Sequence, residues 1–477
     1  MAHTSVEADR RFDVAIIGAG VVGCSIAQAL SRHRLQVVLV EAADDVGTGS
    51  SKANSAILHT GFDAPVGSLE ARLVARGHRL LTDYAATVGI PLVKTGATLV
   101  AWRWDDTVSL QRIRSTAMAN GYGAIDTLTG DDVYHREPHL GPGVVAGLAI
   151  PDESIVCPFT TPLALATEAV LNGVALKLGC EITAAERTTA KTWRLITGAG
   201  PIEAQWVINT AGLHGDSVAQ MFGAETCTIH PRRGQFIVFD KAASSLVHGI
   251  VLGVPSPTTK GVLLAPTVFG NLLLGPTAED LEDKSATETT ESGLSSLMDQ
   301  GLRMLPGLEE MEVTSVYSGL RAVSDTDGYD IGVDAEGRYA NVLGIRSTGL
   351  SASMAIAEHL LDGLSDAGLP LEAKTDWHRV AMPYIGEDRL RPHADDLAIA
   401  ADPSSGRVMC FCEHTTLAEL EAAAVSPIPP TSLEGLFRRT RATGGRCQGF
   451  YCRAQVTAWL ANRLEKGPSE LLGIGGR

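Results

Sequence analysis

The sequence predicts an α/β fold in which a parallel-sheet domain is interrupted by a β-rich one and followed by a small helical module. Three observations predict it. A short apolar run, Phe12 to Ile17, leads into Gly18-Ala-Gly20-Val-Val-Gly23, then a small-residue helical stretch to about Ser31 and a second strand, Gln36 to Val40, ending on Glu41. From Lys177 to Asn209, and again from Gly234 to Gly275, the pattern turns strand-rich, with β-branched and aromatic runs. Four of the eight cysteines, Cys410, Cys412, Cys447 and Cys452, crowd the C-terminal end.

The first segment is strand, turn, helix, strand. A glycine turn between a buried parallel strand and a helix aims unpaired N–H groups and the positive helix end at a diphosphate, so it reads as a Rossmann-type dinucleotide unit. A lone GxGxxG is weak, because such turns arise by chance. Here the strand and helix on either side supply the context, and Glu41 stands where a carboxylate accepts hydrogen bonds from an adenosine ribose.

Leu69 to Val88 reads as an amphipathic helix, Thr98 to Trp102 as a strand and Pro158 to Gly173 as a second helix. Strands are expected over Lys177 to Thr188, Trp193 to Thr197 and Glu203 to Asn209, the last two joined by the turn signal Gly198-Ala-Gly200-Pro201. The third enters a second glycine turn, Thr210-Ala211-Gly212, where the chain returns to the first fold. Gly349 to Leu361 reads as a helix opened by glycine and serines. Residues 368–406 carry Pro370, Pro383, Pro392 and Pro403 without strong periodicity and read as a linker.

Composition narrows the function. With 39 Lys+Arg against 55 Asp+Glu the net charge is −16, which argues against a nucleic-acid binder, and no basic tail offsets it. A chain 45% hydrophobic and 20% charged is ordinary globular protein, and its 50 glycines are not periodic, so disorder and fibre are excluded. The apolar run Val14 to Ala29 is broken by glycines and preceded by Glu7, Asp9 and Asp13, so neither an export signal nor a membrane span is expected. A cytoplasmic setting follows, a reducing compartment where clustered cysteines mean metal or redox chemistry.

Only one GxGxxG is present. A reductase passing electrons from a nicotinamide to a flavin commonly carries two, and a plain nicotinamide dehydrogenase would keep its nucleotide fold contiguous, whereas here it is scattered to about Leu361. One bound FAD, reduced directly by a substrate, is the better reading.

The N-terminal turn, Ser51-Lys-Ala-Asn54-Ser55-Ala-Ile-Leu-His59-Thr-Gly61, Pro65-Val-Gly-Ser-Leu-Glu-Ala, Asn209-Thr-Ala211-Gly212, Pro231-Arg-Arg-Gly-Gln235, Gly319-Leu-Arg321 and Ser347-Thr-Gly349-Leu350-Ser351 together resemble the D-amino-acid-oxidase superfamily of flavoproteins. Within it the likeness is greatest to FAD-dependent glycerol-3-phosphate dehydrogenase-like proteins, and next to L-2-hydroxyglutarate dehydrogenases. It covers roughly residues 12–365. The resemblance implies an FAD-dependent oxidoreductase over 1–367, with FAD-binding parts at about 1–80, 145–225 and 318–367 and a substrate domain at about 81–144 and 226–317. It also implies that Gly18, Gly20, Gly23, Glu41, Ser51, Asn54, Ser55, Ala211, Gly212, Gly319, Gly349, Leu350 and Ser351 bind the coenzyme.

Hydride loss from a carbinol carbon needs an acceptor for the hydroxyl proton, and an imidazole suits neutral pH. His59 is the candidate, the plainer alternative being a core histidine; His214 and His230 are weaker rivals. An anionic substrate needs fixed positive charge, which arginine's planar fork supplies best. Arg321 is the best placed, with Lys260, Arg346, Arg233 and Arg232 behind it, each open to the plainer reading of a solvated charge. The resemblance puts the helix from Gly349 end-on to the flavin, where its dipole stabilises the charge that develops on reduction.

Cys410-Phe-Cys412 and Cys447-Gln-Gly-Phe-Tyr-Cys452 can hold either zinc or a 2Fe-2S cluster, both of which take four thiolates. With helices expected over Leu417 to Val425 and Leu433 to Thr440 between the pairs, 407–477 resembles the bacterioferritin-associated-ferredoxin-like 2Fe-2S domain. A one-electron centre beside a flavin sends electrons singly toward a protein partner rather than to oxygen. Arg438, Arg439, Arg441, Arg446 and Arg453 would stabilise an anionic cluster, dock an acidic partner, or simply be solvated.

The expected activity is therefore FAD-dependent oxidation of a small anionic secondary alcohol, glycerol 3-phosphate first, with an electron-accepting protein or subunit as partner and an oligomer allowed for. The rivals are an L-2-hydroxy acid or an amino or imino acid substrate on the same scaffold, and, from another class, a non-catalytic flavin and iron-sulfur electron-transfer or sensing subunit.

Overall fold

The computed structural model describes residues 11–255, 261–326 and 328–472. Its first strand, β1 (Arg11–Ile17), is buried on both faces beyond its first residues, as an apolar run inside a parallel sheet must be. It pairs in parallel with β2 (Val37–Val40) on one side and Ile202–Asn209 on the other, so the return strand and the opening strand end side by side. Between β1 and β2 runs α1 (Val21–Leu30), starting directly at the glycine turn. The sheet has eight strands: 182–187, 193–197, 202–209, β1, β2 and 175–177 in order, with 339–343 paired to 202–209 and 330–334 paired to 339–343. This is the Rossmann-type layer.

The β-rich layer is a nine-stranded sheet, whose order is 279–280, 229–239, 272–275, 263–266, 250–253, 97–101, 146–150 and 126–129. Val313–Ser324 pairs antiparallel with Ile229–Phe239 along almost its full length. That ladder holds Gly319 and Arg321 in the second sheet, and Ala146–Ile150 pairs there too. The expected FAD-binding parts at 145–225 and 318–367 thus begin with strands of the substrate sheet; the chain re-enters the first sheet only at Asp330–Asp334 and Tyr339–Leu343. A three-stranded sheet of Ile57–Leu58, Ser154–Val156 and Leu92–Val93 joins the layers.

The segment 368–406 is strapped along the first domain. Lys374 Nζ donates to the carbonyls of Ser31 and Asn172 at 3.0 and 2.7 Å, and Met382 N donates to Val88 O at 2.7 Å. The Trp377 ring lies under the guanidinium groups of Arg32 and Arg379, 4.6 and 5.0 Å from its centre. The last module combines a short hairpin, Val408–Cys410 with Thr415–Thr416, and helices Leu417–Ala424, Leu433–Thr440 and Arg453–Leu464, around a core of its own that includes Met409, Leu420, Leu436, Val456 and Leu460. None of the described helices is long and apolar enough to cross a membrane.

Candidate active site

A cavity of about 1430 Å³ runs from the glycine turn to the strands of the second sheet. Its mouth is made where β1 and 202–209 end together. Thr210 Oγ1 reaches the carbonyls of Ile17 and Gly18, at 2.8 and 2.9 Å, and stitches the two turns. Gly18 has φ +100°, open to glycine at little cost, and a Cβ there would lie 2.7 Å from Thr210 O. At Gly23 a Cβ would fall 1.9 Å from Gly18 O, so only glycine lets α1 close on the turn. Glu41 accepts from Ala19 N at 2.7 Å and Ala43 N at 2.9 Å, and Ser51 Oγ accepts from Val21 N at 2.9 Å. With no side-chain cap from Gly20 at the start of α1, this turn fits the diphosphate of FAD, and the Glu41 carboxylate keeps lone pairs for a ribose.

Among the expected coenzyme residues, Gly18, Gly20, Glu41, Ser51, Asn54, Ser55, Ala211, Gly212, Gly319, Gly349 and Leu350 line this cavity, as does Arg346. Gly23 and Ser351 stand behind the wall and support it. Ser351 is fully buried, and its Oγ accepts from His59 N at 2.8 Å. Lys260 lies outside the described residues.

His59 sits two residues beyond Ile57, where the 48–57 segment leaves the cavity wall, and its side chain is 23% exposed. Its Nδ1 is 3.0 Å from Glu153 Oε2, and Glu153 also accepts from the amide and hydroxyl of Thr60 at 2.7 and 2.9 Å. A carboxylate only accepts, so Nδ1 carries the proton of this hydrogen bond. Glu153 was not foreseen; it lies 94 positions from His59 in a Pro-Asp-Glu turn without motif.

Arg321 lies across the second sheet from Arg232, its guanidinium over Gly234, where a Cβ would come 2.5 Å from Nη2. It has no carboxylate ion pair among the described residues. Burial, and then the charge of Arg232, pull its pKa down to about 10: it is still a cation at neutral pH, but one lacking a counter-charge. Arg233 already has carboxylate partners in this geometry. Side chains alternate along a strand, so it faces away from Arg232 and Gly234 and is buried against Glu279 and Glu288, at 2.8 and 3.2 Å. Arg232 is held by Asp280. Of the histidine rivals, His214 reaches the wall, together with Lys284, which is paired with Asp216 at 2.7 Å. Tyr317, also unforeseen, donates to Asn54 O at 2.8 Å and ties the second sheet to the coenzyme loop.

The C-terminal module supplies part of the same wall through Phe437, Arg438, Arg441 and Gln448. Its cysteines meet in pairs, Cys412 with Cys447 and Cys410 with Cys452, and the pairs feel each other's charge. Burial and then Cys410 push Cys452 up to about 12, whereas backbone N–H groups from residues 449–451 outweigh burial at Cys447 and pull it down. Among the described residues no three or more His, Cys, Asp or Glu side chains form a group that could hold a metal ion. Phe411, Phe450 and Tyr451, within the cysteine loops, are exposed.

Fold and site together define a flavin-dependent oxidoreductase, an enzyme rather than an electron-transfer subunit. Residues 13–362 match the DAO family, FAD dependent oxidoreductase, and the chain belongs to it. It is 35% identical over 457 residues to the glycerol 3-phosphate dehydrogenase of Caloramator mitchellensis, covering 95% of this chain and 94% of that protein. To the glycerol 3-phosphate oxidase of Mycoplasma pneumoniae it is 30% identical, over 78% of this chain and 99% of the relative. The solved structure of dithionite-reduced L-alpha-glycerophosphate oxidase from Mycoplasma pneumoniae, with FAD bound, superposes with a TM-score of 0.75 at 28% identity, over 79% of this chain and 100% of its own. A glycerol-3-phosphate dehydrogenase from Bacillus halodurans, 16% identical, shares the fold over 98% of this chain and 93% of its own at a TM-score of 0.68.

Proposed function

We propose that this enzyme oxidises glycerol 3-phosphate, a small anionic secondary alcohol, to dihydroxyacetone phosphate. The observation that carries the reading is Arg321, a buried cation without a carboxylate partner among the described residues, on a strand that touches the coenzyme loop through Gly319 against Ala53 and Tyr317 on Asn54. A phosphate would be its counter-charge, with Arg346 on the cavity wall as a further cation. Both relatives named for glycerol 3-phosphate support this choice.

FAD, when bound, supplies the hydride acceptor. His59 takes the hydroxyl proton at Nε2 as the carbinol carbon gives up its hydride. Glu153 holds the ring in the required tautomer and stabilises the imidazolium that forms. The start of the 349–366 helix, on the cavity wall without a side-chain cap, offers its positive end to the charge that develops.

Cys410, Cys412, Cys447 and Cys452 would hold a 2Fe-2S cluster, which would supply a one-electron outlet for the flavin. Two observations support this reading. Cys412 neighbours Cys447 and Cys410 neighbours Cys452, and the two pairs feel each other's charge, so the four thiols needed as ligands lie together. The dehydrogenase relative aligns over 95% of this chain, the Mycoplasma oxidases over 77–78%. An L-2-hydroxy acid is the second reading, since L-2-hydroxyglutarate dehydrogenases align over 56–74% of the chain and an anionic secondary alcohol of that kind would call on the same base and cation.

Anaerobic addition of substrates decides. Glycerol 3-phosphate should bleach the flavin's visible band and 2-hydroxyglutarate should not; the reverse overturns the substrate. His59→Ala should slow bleaching by about 10²–10⁴-fold, and a normal rate removes the base. Purified protein should carry iron and acid-labile sulfide in equal amounts; zinc alone overturns the cluster.

A further inference from the structure

The C-terminal module is joined to the coenzyme domain by a buried ionic fork. Asp45, five residues short of the Ser50–Lys52 turn, is 2% exposed. Its Oδ2 accepts from Arg438 Nη2 and Arg439 Nη1, both at 2.7 Å, and its Oδ1 accepts from Arg439 Nη2 at 2.8 Å. Both arginines are buried as well, at 5% and 7%. Arg439 also donates to Ile428 O and Gly435 O, so the fork is pinned inside the module as well as across the seam. Three charges removed from water are costly to separate, because the survivors would be left buried and unpaired.

Beside the fork the seam is closed by three rings and a guanidinium. Phe159 stacks on Phe269 with ring centres 5.9 Å apart and meets Phe437 of the module edge-on at 5.6 Å. Arg441 lies 4.1 Å from the Phe269 ring centre and 4.8 Å from that of Phe437. Its Nε is 3.4 Å from Glu413, the residue after Cys412. All three rings and Arg441 line the coenzyme cavity. A continuous, packed contact therefore leads from the cavity wall to the cysteine loops inside one chain.

We propose that Asp45 is a positioning residue that fixes the C-terminal module as a standing wall of the coenzyme cavity, and that the Phe159–Phe269–Phe437–Arg441 seam is where electrons cross from cavity to cysteine module without the module detaching. This rests on the cluster reading above. With FAD bound, the two electrons taken from substrate would cross one at a time, each ending on a one-electron carrier protein, and two protons would go to solvent: the hydroxyl proton held by His59 and the one that arrived with the hydride.

The test uses the full-length holoenzyme and two variants, Asp45→Asn and the milder Arg439→Gln, which keeps one arm of the fork and serves if the first fails to fold. Hydrogen exchange over Leu433–Thr440 reports docking; anaerobic rapid mixing with one equivalent of glycerol 3-phosphate gives flavin bleaching, and a second mixing with excess ferricenium, a one-electron acceptor, gives the return of flavin colour as electrons leave through the module. The variants should show at least about tenfold faster exchange in that helix, the equivalent of 1.4 kcal/mol, with bleaching preserved and colour return slowed about tenfold or more. Exchange unchanged in both variants overturns the clamp. Faster exchange with undiminished colour return overturns the seam as the crossing point. Wild-type protein without iron or sulfide overturns the cluster reading and the crossing with it, while the exchange arm still decides the clamp.

Discussion

At Gly23 the smallest side chain decides whether the first helix can close on the glycine turn. Adding one methyl group there sets a carbon 1.9 Å from Gly18 O and 2.6 Å from Thr210 Oγ1, so Gly23→Ala must open the turn that aims N–H groups at the diphosphate. Purified Gly23→Ala should be largely colourless and take up FAD at least about tenfold more weakly than wild type; full yellow occupancy would contradict the turn's role. Gly234 works the same way on the substrate side. Its missing Cβ is the space that the Arg321 guanidinium occupies, and Gly234→Ala should displace that charge. Losing a charge-assisted hydrogen bond worth about 1.5–3 kcal/mol predicts a KM for the anionic substrate raised roughly 10- to 150-fold, with kcat less affected. The glycines of the turn and Glu41 were legible because one contiguous stretch carries their whole signal. Glu153 was not, since only the fold brings it to His59. The partners of Arg233 were not legible for a related reason: only the fold sets Glu279 and Glu288 beside the face opposite Arg232.

Elements place these residues, and the contact of α2 (Leu69–Val88) with the helix Gly349–Asp366 matters most for His59. The amphipathic pattern marks α2 from its first residue to its last, because apolar spacing and the Ser68 cap are local features. The reason for Gly77 inside it is not local. A Cβ at Gly77 would lie 2.2 Å from Ser351 O and 2.8 Å from Ala352 Cα, so the glycine lets the two backbones touch. Ser351 in turn accepts the His59 amide. Gly77→Ala carries better intrinsic helix propensity and should nonetheless destabilise, because overpacking costs about 1–3 kcal/mol and propensity returns at most about 1. A lower thermal midpoint together with slower flavin bleaching is expected. A raised midpoint would mean that the helices can part freely and that the close contact does not hold Ser351 in place.

On the scale of the whole molecule, the question is what keeps two separately folded bodies as one. The module has its own core, and a linker without periodicity leads to it, so the sequence offers no sign that it is fixed in place. The fork at Asp45 supplies the attachment, and it carries a pH signature. Burial alone would raise the Asp45 pKa, but hydrogen bonds and charge from Arg439 and then Arg438 outweigh it, leaving the carboxyl below its ordinary value of 3.8. A depressed carboxylate stabilises the folded form fully above its unfolded pKa and loses that contribution as pH falls through the folded one. The stability difference between wild type and Asp45→Asn should therefore be constant near neutral pH, begin to shrink below about 3.8 and vanish in stronger acid. The exposed pair Arg76–Glu358, by contrast, should weaken with added salt at any pH, whereas the fork, out of reach of counter-ions, should not. Denaturant midpoints of the two proteins across pH and salt would measure both. A difference that persists unchanged into strong acid would show that Asp45 acts through its shape and not its charge.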